Sequence, residues 1–113
     1  MKAPINDGKA LKEAVASGGE RLALFYASSC PFCDAFLPAY ERRVPGPMAL
    51  RVLVDDWGGL VEEYSIEVVP TVVFFKGGRV AARLDGVLGK GLSEEMLDDF
   101  MRRCGLGKTH ARG

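Results

Sequence analysis

A chain of 113 residues, 48% apolar and 27% charged, has the material for one compact core, and that balance excludes a disordered polymer. Fifteen Lys and Arg offset fifteen Asp and Glu, so no basic excess exists to neutralise phosphates and nucleic acid is not an expected partner. No apolar run approaches the roughly 18 residues of a membrane span, and the opening residues lack the continuous apolar stretch of a secretory signal.

The first predicted element is a helix over 8–15, with Ala10, Leu11, Ala14 and Val15 on one face. Asn6 or Asp7 caps it and Gly18-Gly19 ends it. The apolar run from Arg21 to Ala27 is short enough for a buried strand. A helix from Pro31 to Arg43 follows, opened by a proline where the missing N–H costs nothing. Pro38 inside it cannot bond back to the Asp34 carbonyl, so a kink is expected there, and Val44-Pro45-Gly46-Pro47 stops the helix. Leu50 to Val54 is a second strand, Asp55 to Gly59 a loop carrying the single Trp57, and Leu60 to Ser65 a short helix. Val72 to Lys76 and Arg79 to Leu84 form a hairpin about Gly77-Gly78. Ser93 caps a last helix whose inward face is Leu92, Met96, Leu97, Phe100 and Met101. Residues 1–104 are thus expected to form a single domain, and 105–113, Gly-rich and basic, a disordered tail.

The helical crossover makes the first two strands parallel, and the last two form an antiparallel pair. The expected class is α/β, a mixed central sheet of about four strands between layers of helix. Ligand chemistry in such sheets gathers beyond the carboxyl ends of the parallel strands.

Three cysteines cannot close into a full set of internal disulfides, and their distribution is uneven. Cys30-Pro31-Phe32-Cys33 falls between a strand end and a helix start, while Cys104 lies far downstream. At the helix N-cap, Cys30 faces unpaired N–H groups and the positive end of the helix dipole, and both favour thiolate over thiol. Cys33, one turn further in, is placed to attack a mixed disulfide formed on Cys30. Two other readings exist: half of a zinc site completed by Cys104 and His110, or two unrelated buried thiols. A zinc site draws on two knuckle-like turns, whereas these partners lie on a helix end and a tail. Asp55 and Asp56 read as exposed turn residues, Phe25, Phe74 and Phe75 as sheet core, and His110 as solvated.

FYASSCPFC, the internal Pro38, Val69-Pro70-Thr71 and the stretch VVFFKGGRVAARLDGVLGKGLSEEML together resemble the thioredoxin superfamily over most of the chain. The resemblance implies a three-layer sandwich and a cis Val69–Pro70 bond beside the reactive sulfur. It also implies a Val69/Pro70 shelf and a Gly86 kept open for partner docking. There are departures. Ser29 precedes Cys30, and Pro31-Phe32 between the cysteines is similar to glutaredoxins, whose Thr-Val-Pro and Gly-Gly-x-x-Asp patches are absent. Leu24 stands where the family has a buried acid, Arg51 where it has a lysine, and the usual first strand is missing or very short.

The function expected is a thiol–disulfide oxidoreductase acting on disulfide-containing proteins, with Cys30 as nucleophile and Cys33 as resolving thiol. It would be a cytoplasmic monomer, needing no cofactor or metal and re-reduced by a reductase or a small thiol. The alternatives are a glutaredoxin-like reductase fed by a low-molecular-weight thiol, and a binding or chaperone module without turnover.

Overall fold

The computed structural model describes residues 4–16, 19–55 and 59–106. The order is α1 (Gly8–Ala16), β1 (Glu20–Tyr26), α2 (Pro31–Arg43), β2 (Ala49–Leu53), α3 (Gly59–Glu63), β3 (Thr71–Lys76), β4 (Arg79–Leu84) and α4 (Glu94–Arg103). This is the succession expected from the sequence. Gly18, Asp56, Trp57 and His110 lie outside the described residues.

The sheet runs β2-β1-β3-β4, with β1 parallel to β2 and antiparallel to β3. β3 and β4 are joined through Gly77 and Gly78, whose φ values of +61° and +82° suit a two-residue turn matched to strand twist. Both faces of the central strands are buried, so period-2 alternation sorts their side chains into two cores. Leu22, Leu24, Val72 and Phe74 join Phe36, Ala39 and Tyr40 of α2 and Leu97, Phe100 and Met101 of α4. Ala23, Phe25, Val73 and Phe75 point the other way, against Leu11 and Val15 of α1 and Leu60 of α3. The result is a three-layer sandwich.

Tyr40 fastens α2 to the sheet. The residue is 1% exposed, and its hydroxyl lies 2.8 Å from the Leu22 carbonyl and 2.7 Å from the Leu50 carbonyl. One proton is shared between acceptors on β1 and β2, and burial pushes the phenol pKa upward. The helix that carries Cys33 is therefore anchored beneath the junction of the two parallel strands. It runs unbroken through Pro38 to Arg43.

Asp7 caps α1 by accepting the Ala10 N–H at 2.8 Å, and Ser93 caps α4 by accepting the Met96 N–H at 3.1 Å. Among the described residues, the usual first strand is reduced to one residue. Ile5 donates to the Arg51 carbonyl at 2.8 Å and accepts from the Leu53 N–H at 2.7 Å, an isolated bridge on the outer edge of β2. Two expectations need correction. Gly59 opens α3 instead of closing the loop before it. The tail does not fray at Gly105, where a Gly at φ +81° ends α4 in a Schellman cap. Gly105 donates to the Arg102 carbonyl at 3.0 Å and Leu106 to the Met101 carbonyl at 2.8 Å, which turns Leu106 back into the core. Residues 107–113 lie outside the described residues.

Candidate active site

β1 delivers the chain to the carboxyl edge of the sheet, and Ala27 to Ser29 turn it into α2. Cys30 is the N-cap, in extended geometry at φ −121° and ψ 105°. Its sulfur accepts the Cys33 backbone N–H at 3.2 Å. One of the orphan donors at the helix start is thereby spent on sulfur, where Ser or Asp would ordinarily supply oxygen. The Cys30 sulfur also lies 3.9 Å from the Val69 carbonyl across the site.

Cys33 sits in a different environment. It is 2% exposed, and burial is the main cause that pushes its thiol from 9.0 up to about 12. A side-chain hydrogen bond with Cys30 and the charges of Cys30 and Asp34 add to the rise, while a backbone hydrogen bond from Ala27 opposes it. Both cysteines are free thiols. The pair thus offers one partly exposed sulfur with an amide donor and one buried sulfur held protonated.

The facing wall is built on the Val69–Pro70 bond, which is cis, as the resemblance implies. Thr71, wholly buried, ties this wall together: its hydroxyl donates to the Val68 carbonyl at 2.6 Å and accepts the Gly86 N–H at 3.2 Å. Gly86 is pressed so closely on the wall that an added Cβ would stand well inside contact distance of the Pro70 carbonyl oxygen. A backbone oxygen cannot rotate away, so Gly86→Ala must push the end of β4 off the Pro70 loop. The expected cost is about 1–3 kcal/mol, read as a lowered midpoint in denaturant. A Gly86→Ala protein of unchanged stability would contradict this packing.

Phe32 and the loop after Gly86 form a second contact. Gly91, at φ +76°, lies under the Phe32 ring, and a Cβ there would meet the Phe32 Cβ at 2.8 Å. Val87 and Gly91 exchange backbone hydrogen bonds of 3.0 and 2.7 Å, so the loop between them is tight. It presents Leu88 at 84% exposure beside the half-exposed Phe32 and Val87. Cys30, Phe32, Val69, Pro70 and Gly86 are therefore assembled on one side of the fold. Pro31 opens α2 there, and Pro38 lies two turns along the helix.

The sequence reading assigns no role of their own to Thr71, Leu88 and Gly91. A hydroxyl directly after Pro70 and the Gly-x-Gly at 89–91 are the available signals. Asp55 also has a larger part than a turn residue: its carboxylate accepts the Ser28 N–H at 2.7 Å and the Ser28 hydroxyl at 2.5 Å.

Cys104 is not brought to this site. It caps the end of α4, and the charge that acts on it from the sheet is that of Glu20, the first residue of β1. Cys30 lies beyond the other end of β1, and a strand of seven residues spans about 20 Å. Cys104 therefore cannot share one metal ion with Cys30 and Cys33.

A Cys-x-x-Cys helix start facing a cis-proline, on a four-stranded mixed sheet between helical layers, defines a thioredoxin-like fold. The thioredoxin family model matches residues 4–102, and the chain belongs to that family. It is 37% identical over 81 residues to a probable thioredoxin-2 of Caenorhabditis elegans, an alignment covering 68% of this chain and 53% of that one. It is 32% identical over 87 residues to a thioredoxin-like protein of Fusarium culmorum, covering 72% of each. The match to the nematode protein, like that to a rice thioredoxin H-type, spans about half of the relative's length. A Plasmodium falciparum thioredoxin superposes with a TM-score of 0.71 at 18% identity, over 89% of this chain and 98% of that one. A mutant thioredoxin from Halobacterium salinarum gives 0.69 at 22%, over 91% and 95%. At those identities the solved structures speak for the fold alone.

Proposed function

We propose that this thioredoxin-family chain is a thiol–disulfide oxidoreductase that reduces protein disulfides through Cys30 and Cys33. The observation that carries the reading is the placement of Cys30, whose partly exposed sulfur caps α2 by accepting the Cys33 amide N–H at 3.2 Å and lies 3.9 Å from the Val69 carbonyl of the cis-proline wall.

In the first step the Cys30 thiolate attacks one sulfur of the substrate disulfide. The substrate S–S bond breaks, a mixed disulfide forms on Cys30, and the other sulfur leaves as a thiolate that takes a proton from solvent. In the second step Cys33 gives its proton to solvent base and attacks the Cys30 sulfur. The mixed disulfide breaks, the Cys30–Cys33 disulfide closes, and the second substrate sulfur departs and is protonated. The substrate has gained two electrons and the protein has lost two. A reductase or a small dithiol returns them. The Val69 and Pro70 backbone serves as the shelf for the substrate strand, with Gly86 leaving room beside it. The work belongs in a reducing setting such as the cytoplasm, where the pair stands ready as the dithiol.

Turnover of a disulfide-bonded protein with dithiothreitol or glutathione as reductant tests the reading. Turnover with dithiothreitol and little with glutathione is expected. Equal turnover with glutathione would make the chain glutaredoxin-like, and none with either would leave a binding module.

A further inference from the structure

Ala27, Ser28, Ser29, Pro31, Asp55 and Val69 surround Cys30 in an open cleft of about 430 Å³. Among the described residues that line it, Asp55 is the one charged side chain. Its carboxylate does not swing freely. One oxygen accepts the Ser28 N–H at 2.7 Å and the other the Ser28 hydroxyl at 2.5 Å, which holds the group at two points from the turn that leads into Cys30. The same two bonds hold the carboxyl below its ordinary range, so it is ionised wherever the cysteines react. A surface carboxylate without such a clamp rotates away from an approaching anion. A clamped one cannot.

We propose that Asp55, fixed by Ser28, sets the charge preference of the cleft at Cys30, disfavouring anionic disulfides and thiols and favouring disulfides flanked by Lys or Arg. The proposal rests on Cys30 being the nucleophile. Near the surface, with little shielding by protein, a unit charge about 6–8 Å from a carboxylate changes a rate by a factor of about 2–3. Between reagents of opposite charge, with only the nearer of each reagent's two charges at that range and the farther one screened by solvent, the contrast is the square of that factor, up to about tenfold. Low-molecular-weight thiols carrying net negative charge, glutathione among them, are then poor partners for electrostatic reasons, in addition to the absence of a patch that would bind them.

The test uses the reduced full chain and three small disulfides: cystamine, a dication; 2-hydroxyethyl disulfide, neutral; and 3,3′-dithiodipropionate, a dianion. Each is mixed with wild type and with Asp55→Asn. Loss of the dithiol is timed by rapid alkylation and mass spectrometry, which also shows which cysteine reacted. Asparagine keeps a carbonyl acceptor for the Ser28 N–H while removing the charge. Leaving-group differences cancel in the wild-type to variant ratio for each reagent. Any common change in Cys30 ionisation cancels when those ratios are compared.

The rate preference for cystamine over dithiodipropionate is expected to fall about tenfold in Asp55→Asn. In Ser28→Ala, which removes the hydroxyl bond and leaves the backbone N–H bond to Asp55, the fall should be smaller, and added NaCl at about 1 M should shrink the wild-type preference. If Asp55→Asn changes all three rates by one common factor, the charge preference is overturned while Cys30 keeps its role. If no reagent oxidises Cys30, the nucleophile assignment fails and takes the inference with it.

Discussion

Cys33→Ser should attack substrate disulfides and then arrest as an isolable mixed disulfide on Cys30, whereas Cys30→Ser should be inert. The asymmetry follows from the two environments. Cys30 is partly exposed and its sulfur receives an amide N–H, so it meets substrate first. Cys33 is 2% exposed and held protonated by burial, so it can act only on a disulfide already delivered to its neighbour. Serine at position 30 keeps the cap hydrogen bond but has no base beside it to make it a nucleophile. The expected loss of turnover is roughly a thousandfold or more in either variant, read by reductant consumption. Non-reducing gels separate the causes: a trapped adduct in Cys33→Ser, none in Cys30→Ser. The opposite pattern would exchange the two roles.

Leu24→Asp should speed the second step and weaken the fold. Leu24 is fully buried in the layer it shares with Phe36 and Tyr40 of α2, at the position where the family resemblance implies an acid. Wild type therefore has no internal base there for Cys33. The Cys33 thiol, pushed up to about 12, must lose its proton to solvent. Its thiolate fraction then rises about tenfold for each pH unit below that value, and the release rate should climb steeply from about pH 6 to 9. Once Cys30 is tied in the mixed disulfide, its charge no longer raises Cys33, but burial still does. A carboxylate at position 24 could take the proton at lower pH and flatten the profile. Its own ionisation is opposed by burial and helped by Arg51, the register partner of Leu24 on β2. Losing the leucine and burying an acid should cost about 3–5 kcal/mol, seen as a lower denaturant midpoint. Stopped-flow release on both proteins across that pH range decides the matter. A wild-type rate that does not vary with pH would contradict the role given to Cys33.

Much of this molecule was legible because local and global signals agree. The unbroken apolar run Leu22, Ala23, Leu24 and Phe25 reads as a strand with both faces buried, and each face has its own helix layer. Pro31 marks the start of α2 because its fixed φ and missing N–H suit a first turn, and Gly77-Gly78 marks the hairpin because few other residues accept positive φ. The Cys-x-x-Cys pair could be placed from those boundaries alone. Long-range groups could not. Ser28 and Asp55 stand 27 positions apart and meet only because β1 and β2 are parallel and end together. Thr71 gives no sign in sequence that its hydroxyl spans from the Val68 carbonyl to the Gly86 N–H. The Schellman cap at Gly105 escapes a sequence reading because Gly in a basic tail also looks like fraying, and Leu106 decides between them by returning to the core.

The most direct test of the central claim is a peptide map of the reduced chain after reaction with one equivalent of a disulfide-bonded protein. A single new linkage, Cys30 to Cys33, is expected, with Cys104 still alkylatable and the substrate disulfide reduced in equal amount. A linkage through Cys104, or a reduced substrate with no Cys30–Cys33 disulfide formed, would contradict the two-cysteine account.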